Sequence, residues 1–400
     1  MIPSWYPTTA NPLTGIFFQE QAILLQQRYE VRVLFGIDHP MRYTSVLRTL
    51  RWFPGCSHAR VKLARADLCP VAPPVTAFEY AYLQMGEHVW METAVEAYRQ
   101  MLGRLINESW KPDIIHAHCA EFAGIITHRL ALEFNIPWVL KENQVFVLSM
   151  YSEYRKRLMV DAMRAATTVV PVSQHQMRSI LLHGIYRPMV VVGNPIDEDA
   201  FRFAEPIRNR NHFHILTVTY PLPIKDCETF FAAIAILLER GHHDIMVTVI
   251  GNKSFSDISK ADTIEFEELA SKYRVSQVCR FIASAPRSEM PEHYAECDVF
   301  VSTSIAETFG VAVREAMAVG RPVVCTASGG VEDDLSAING IRVNIRDPEA
   351  VADALISVKI GRLVFDPAKI RESVVAAHGR QAYLAKMSSV YEDTMAKGHG

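Results

Sequence analysis

The chain has 400 residues, 49% of them hydrophobic and 21% charged, with 41 Lys and Arg against 44 Asp and Glu for a formal net charge of -3. That length favours two domains over one, the composition excludes a disordered chain, and the near-neutral charge argues against a dedicated nucleic-acid binder, so no nucleic-acid partner is expected. No apolar run reaches the roughly 18 residues of a membrane span and no signal peptide opens the chain, while seven scattered cysteines without a CxxC pair fit a reducing cytoplasm and no zinc site.

Pro3, Pro7 and Pro12 with Gly15 predict a loop, Ile16 to Gln27 an amphipathic helix and Glu30 to Phe35 a strand. An α/β domain that opens so should carry a strand ahead of the loop. Only Met1 and Ile2 precede Pro3, so the first strand reads as truncated. Residues 39–66 hold Arg42, Arg48, Arg51, Arg60, Lys62 and Arg65 with no acidic residue, and interleave Tyr43, Trp52 and Phe53. Two readings stand: a solvated helical face with aromatic anchors, or a patch over 42–65 that meets an anionic membrane surface or a lipid-linked diphosphate.

Residues 78–109 read as one long helix and Asp113 to His116 as a short strand, which leads through His118 into a helix near Glu121. The two histidines are expected on opposite faces, so a shared metal is not expected. A strand-end histidine such as His118 can be structural or catalytic. Pro137 to Leu140 is the next strand, with Lys141, Glu142 and Asn143 at its carboxyl end. Thr168 to Val172 follows, then Ser173 as an N-cap candidate.

Val190 to Val192 leads into the turn-rich GNPIDEDAF, and the polar RNRNH after it resembles a linker. His214 to Val218, Ile245 to Gly251, Cys279 to Ile282 and Asp298 to Ser304 read as strands separated by helical stretches, the pattern of a parallel α/β layer. Tyr220 to Lys225 forms a loop. Asp298 to Gly330 reads as strand, loop, helix and strand: an apolar run, a helix over Val311 to Val319, a stop at Gly320, Arg321 and Pro322, then Val323 to Thr326. Such a unit puts its first loop at the carboxyl edge of the sheet, where open α/β sheets bind ligands. Glu307 lies in that loop and Glu315 one turn into the helix, either as ligand-facing carboxylates or as a solvated face. Residues 368–396 form a last helical stretch.

SWYP with GIFFQEQA, DIIHAH, VPVS, NPIDEDAF, the Lys225 loop, AETFGVAVREAM, SGGVEDD and NGIRVNIRDPEAVADAL together resemble the retaining glycosyltransferases of family 4 in order and spacing over nearly the whole chain. The resemblance implies the GT-B fold, two facing Rossmann-like domains. The expected division is 1–187 as the acceptor-side domain, 188–375 as the nucleotide-sugar domain, and 376–400 as a helix returning to the first. It also implies catalytic roles for His118, Lys225 and Glu307. Donor contacts would come from Gly15, Tyr220, Lys225, Glu307, Thr308, Phe309, Gly310, Val311 and Glu315, and acceptor-side contacts from Glu142 and Asn143. Glu307 would hold a donor-sugar hydroxyl, Glu315 the ribose, and backbone N–H groups at the helix start the sugar and diphosphate. His118 and Gly15 would close over the donor from the first domain.

One departure stands out. The family loop carries an arginine, then a lysine and a glycine, whereas this chain has Tyr220, Lys225 and Asp226. Another basic residue, Lys253 or Arg287, could fill in, the donor could bind differently, or activity could be low. Asp333 stands where a glutamate is common. The expected activity is metal-independent, cofactor-free transfer of a hexose from a nucleotide-diphosphate sugar to a glycan or lipid-linked acceptor in envelope, capsule or exopolysaccharide synthesis. The expected location is the cytoplasm, with peripheral contact at the inner face of the cytoplasmic membrane. The alternatives are a catalytically weak GT-B partner or scaffold that binds nucleotide or glycan, and a GT-B epimerase or phosphorylase.

Overall fold

The computed structural model describes residues 1–9, 14–42, 62–63, 74–207, 210–251 and 266–398. The chain forms two compact units: residues 1–172, 177–192 and 384–400 make the first, and residues 173–176 and 193–383 the second. The passage into the second unit thus falls at Val192 and Gly193, ahead of the RNRNH run expected to be a linker.

In the first unit, β1 (Ile2–Pro3), β5 (Ile115–His118), β6 (Trp138–Glu142) and β7 (Thr168–Pro171) pair in parallel in the order β1-β5-β6-β7. A second sheet has the order β2-β4-β3, from β2 (Val33–Met41), β3 (Lys62–Leu63) and β4 (Val75–Leu83). The Leu34 N–H donates to Met1 O at 2.9 Å, so β1 has β2 beside it as well as β5. Every residue of β5, β6 and β7 is buried, the polar His116, His118, Lys141 and Glu142 included.

The expected helix over 78–109 is corrected here: Val75–Leu83 is a strand, and the helix runs Glu87–Asn107. VTAFEYAYL is rich in aromatic and β-branched residues, and paired in register with β2 it buries Phe78, Tyr80 and Ala81. Gly86 at φ 113° then separates strand from helix. The last helical stretch is two helices, Pro367–His378 and Arg380–Gly398. The break is at Gly379, where the Ile196 N–H donates to His378 O at 2.8 Å. The basic stretch lies mostly outside the described residues; within it Arg42 is exposed and Lys62–Leu63 forms β3.

The second unit holds one six-stranded parallel sheet, with β8 (Phe213–Val218), β9 (Ile245–Ile250), β10 (Cys279–Ile282), β11 (Val299–Ser302), β12 (Val323–Thr326) and β13 (Gly340–Val343) in the order β10-β9-β8-β11-β12-β13. That is the doubly wound arrangement, and its order reverses between β8 and β11. The loop after β8 carries Tyr220 and Lys225, and the loop after β11 carries Glu307. The expected loop and strand–helix–strand unit therefore flank the switch point where such sheets bind ligands.

Candidate functional site

The helix Val311–Val319 begins at Gly310, whose φ of 73° and ψ of 63° are left-handed. A Cβ there would meet Val331 Cγ2 at 2.6 Å, so both conformation and space demand glycine. Gly320 ends the helix at φ 93°, as its position ahead of Arg321 and Pro322 predicts. The backbone of Glu307 is latched to the Ser328–Gly330 turn: its N–H donates to Ser328 O and its carbonyl accepts from Gly330 N, both at 2.8 Å. A Cβ on Gly330 would lie 1.8 Å from Thr308 O, so this close approach also needs glycine. Phe309 is buried against His378, edge to face at 5.0 Å between centroids, which fixes the turn that presents Thr308, Gly310 and Val311.

Both carboxylates of the unit are engaged by cations. Lys225 Nζ donates to Glu307 Oε1 at 2.5 Å and Ser304 Oγ donates to the same oxygen at 2.8 Å. Arg287 pairs with Glu315 Oε1, and Tyr294 OH donates to Oε2 at 2.9 Å. Burial, then the adjacent Glu315 charge, raises the Tyr294 hydroxyl well above its ordinary range, so it stays a donor. Burial also raises the Tyr220 hydroxyl, Lys225 opposes this, and Glu315 and Glu307 add to it. Tyr220 thus sits in the field of all three groups as a neutral phenol. Arg287, offered from sequence as one of two substitutes, is the partner of Glu315; Lys253 lies outside the described residues.

The Lys225 loop explains the Asp226 departure. Asp226 adopts φ 46° and ψ 54°, where glycine is least strained, and its carboxylate caps the helix Cys227–Glu239 by accepting from Thr229 Oγ1 at 2.7 Å and Thr229 N at 3.4 Å. Loss of the cap and relief of left-handed strain each amount to about 1 kcal/mol, so Asp226→Gly is expected to change stability by less than about 1 kcal/mol. Asp226→Ala loses the cap and keeps the strain, so it should cost the full cap term, about 1 kcal/mol. Urea unfolding of the two variants checks this ordering, and an equal loss in both contradicts it.

Behind the helix start lies an ion cluster with no strong sequence signal. Arg314 is buried; its Nε donates to Asp334 Oδ2 at 2.8 Å, its Nη2 to Gly330 O at 3.0 Å, and its guanidinium lies 3.8 Å from the Phe309 ring centroid. His378 Nε2 is 2.8 Å from the same Asp334 oxygen. Burial is the largest influence on Asp334 and raises its pKa, yet His378 and Arg314 hold it well below the usual carboxylate range. Asp333, the milder departure, accepts from Gln174 N at 2.6 Å.

In the first unit, Gly15 has φ 74° and opens the helix Ile16–Leu25, with Trp5 so close that a Cβ would lie 2.8 Å from Trp5 O. The expectation that His116 and His118 face apart is corrected: residues two apart on a strand share a face, and the rings stack at 4.2 Å. His116 Nδ1 is 2.6 Å from Tyr391 OH, and His118 Nδ1 is 3.4 Å from Asn143 Nδ2. His118 is fully buried, its pKa held well below the usual value by burial and then by His116 and Lys141; its Nε2 has no hydrogen-bond partner among the described residues. The buried Glu142 carboxylate accepts from three backbone N–H groups, Ala120 at 2.8 Å and Asn143 and Gln144 at 2.9 Å each, and so organises the turn Ala120–Gly124.

Lys141, also fully buried, donates to Val192 O at 2.5 Å, and burial lowers its pKa from 10.5 to about 7. The cost of burying its charge is therefore full below about pH 7 and fades as pH rises toward 10.5. Burial raises the Glu142 carboxyl from 4.5 to about 7, so its own penalty grows between those values and is constant above. The interval above pH 7 thus isolates the lysine. Urea-unfolding midpoints of the protein should climb from pH 7.5 to 9.5 more steeply than those of Lys141→Met; parallel slopes would contradict a buried, shifted amine.

The five described cysteines are unpaired, and among the described residues no group of three His, Cys, Asp or Glu is placed to hold a metal ion. Among the same residues, no helix is long and apolar enough to cross a membrane.

Two α/β units with parallel sheets, the second of 3-2-1-4-5-6 order with its carboxylates at the switch point, define a GT-B protein. The Glycosyltransferase Family 4 model matches residues 79–200 and the Glycosyl transferases group 1 model residues 197–362. The chain belongs to the group 1, family 4 glycosyltransferases. A similar protein is the D-inositol 3-phosphate glycosyltransferase of Frankia alni, 31% identical over 176 residues, 41% of this chain. That match spans 43% of the relative's own length. Among solved structures, sucrose-phosphate synthase from Thermosynechococcus elongatus superposes with a TM-score of 0.72 at 18% identity, covering 99% of this chain and 98% of that one. HepE of Anabaena, solved with UDP and glucose, gives 0.70 at 14% identity with 98% of each chain covered.

Proposed function

We propose that the protein is a retaining glycosyltransferase that moves a hexose from a nucleotide-diphosphate sugar to a glycan or lipid-linked acceptor in cell-envelope, capsule or exopolysaccharide synthesis. The observation that carries this reading is the Lys225–Glu307 pair beside Glu315 at the switch point, next to a helix start fixed by Gly310. On this reading Glu307 holds a hydroxyl of the donor sugar and Glu315 the ribose. Lys225 and the N–H groups at the helix start stabilise the charge that grows on the leaving diphosphate. The bond from the anomeric carbon to the diphosphate breaks while the acceptor oxygen bonds to the same face. The acceptor's proton passes to the departing phosphate oxygen.

This route needs positive charge more than a carboxylate nucleophile, and the side chains named supply it, so no metal is included. The Nε2 of buried His118, unpartnered among the described residues, supports a catalytic role for that residue, because buried polar groups are nearly always paired. The related UDP- and glucose-bound HepE supports a nucleotide-sugar donor. A lipid-linked acceptor rests on the basic run at 42–65, and the envelope assignment on the SWYP and GIFFQEQA strings.

A thermal-shift screen of UDP, GDP, dTDP and ADP, followed by turnover of the matching sugar nucleotides with and without EDTA, tests the proposal. One nucleotide should raise the melting temperature, and its sugar should be transferred or hydrolysed with the anomeric configuration kept, at a rate that EDTA changes by less than about twofold. The second reading, a catalytically weak binding protein, is motivated by Tyr220 in place of an arginine. Tight nucleotide binding with no turnover on a broad acceptor panel would establish it instead.

A further inference from the structure

The carboxyl edge of the first unit's four-stranded sheet carries a carboxylate that the mechanism above does not use. The turn Ala120–Gly124 follows β5, and three contacts fix it: Ala120 N on Glu142 Oε2 at 2.8 Å, Ala123 N on Ser4 Oγ at 3.0 Å and Gly124 N on Cys119 O at 2.9 Å. Every residue of that turn except Glu121 is buried. Glu121 Oε2 accepts from the Tyr151 hydroxyl at 2.6 Å, and Oε1 has no hydrogen-bond partner among the described residues. The acceptor that organises the turn is Glu142, with its three backbone N–H groups. Glu121 is thus not needed to hold the turn, and it stands on a fixed support at the edge where open α/β sheets bind ligands.

The groups around Glu121 decide what it can hold. Burial, then the bond to Glu121 and its charge, raise the Tyr151 hydroxyl well above its ordinary range, so it remains a donor to the carboxylate. Arg155 Nη2 lies 2.7 Å from Glu87, its Nη1 donates to the Glu121 carbonyl at 3.4 Å, and its guanidinium is 4.8 Å from the Trp90 ring centroid. Lys141 is fully buried on Val192 O. Glu121, joined by Glu142 above about pH 7, therefore presents negative charge while these two cations are engaged. A phosphate would meet like charge here, whereas a sugar hydroxyl would donate to Oε1.

We infer that Glu121, positioned by Tyr151, binds the acceptor by accepting a hydrogen bond from one of its non-reacting hydroxyls, and that the acceptor's receiving end is an uncharged sugar rather than a phosphorylated one. This rests on the glycosyltransfer reading and names the acceptor class for it. Lys225, Glu307 and Glu315 lie in the second unit, so the two readings fail separately.

Transfer from the sugar nucleotide picked out by the thermal-shift screen is measured to two sets of acceptors: octyl glucoside, galactoside and mannoside, against the phosphates of the same hexoses and D-inositol 3-phosphate. The natural chain should use at least one octyl glycoside with kcat/KM about tenfold or more above every phosphorylated acceptor. Glu121→Gln should raise KM for that glycoside about tenfold, Glu121→Ala about 30-fold and Tyr151→Phe about threefold, with donor KM within about threefold in all three. Glu121→Gln should also narrow the preference for the neutral set, a change that damage to the turn would not produce, because damage lowers both sets alike. A natural preference for phosphorylated acceptors, or use of no neutral glycoside by a chain that turns over its donor, overturns the inference. So do an unchanged acceptor KM and equal losses on both sets. A natural chain that turns over no sugar nucleotide, with or without acceptor, overturns the glycosyltransfer reading first, and the inference falls with it.

Discussion

Replacing Lys225 by alanine is expected to lower kcat/KM for sugar transfer about 100- to 1,000-fold, the range found when a single preorganised donor to a developing negative charge is removed. The loss should fall on kcat more than on KM, because charge on the leaving diphosphate peaks in the transition state. Thermal stability should change little. The loop is held without the ammonium, by Ile305 N on Ile224 O at 2.8 Å and Thr303 Oγ1 on Asp226 O at 3.0 Å, and a partly exposed ion pair contributes about 1 kcal/mol or less. Glu307→Ala should show a comparable loss of rate, since it removes the hydroxyl acceptor and leaves Lys225 without its resting partner. Steady-state rates of donor turnover within about threefold of the natural chain for Lys225→Ala would remove that residue from the mechanism.

The largest expected stability loss belongs to Asp334→Ala, about 3–5 kcal/mol, because it takes the carboxylate from the buried Arg314 guanidinium and removes one partner of His378. The pair matters for the site as well as for the fold. Arg314 also donates to Gly330 O and lies against the Phe309 ring, so it braces the glycine turn and the aromatic ring that set the donor loop. Asp334→Asn keeps acceptor capacity and should cost less, and Arg314→Met with Asp334→Ala together should cost less than the two single losses summed, since the double change leaves no buried charge behind. Urea unfolding of the four proteins decides this, and additive losses would show that the two residues do not act as a pair.

Much of the second unit was legible in the sequence because its signals are local. β-branched runs, Gly310 and Gly320 at the helix ends, and two glutamates eight positions apart all report on their own neighbourhood. The strand Val75–Leu83 was not legible: FEYAYL before a long helix carries apolar residues at spacings that suit either period, and only pairing with β2 decides. The shared face of His116 and His118 follows from strand alternation and needed only that rule. Arg287 and Tyr294 could not be assigned as Glu315 partners with any force, because 28 and 21 residues of chain separate them from it. Nor does a sequence show that Glu142, at the end of a strand like a ligand-binding group, is occupied by the N–H groups of its own turn.

The break at Gly379 has a consequence for anyone who wishes to cut the molecule into parts. Residues up to 383 belong with the second unit and those from 384 with the first, so no single cleavage of the chain releases either unit whole. A truncation ahead of residue 384 would take away Tyr391, which meets His116, Thr394, which meets Thr168 at 2.8 Å, and Ser388, which accepts from Arg28. The far end of the polypeptide is thus the missing wall of the first unit's core. Separated halves should be made as split chains that keep 384–400 with the amino-terminal piece, rather than by trimming from the end.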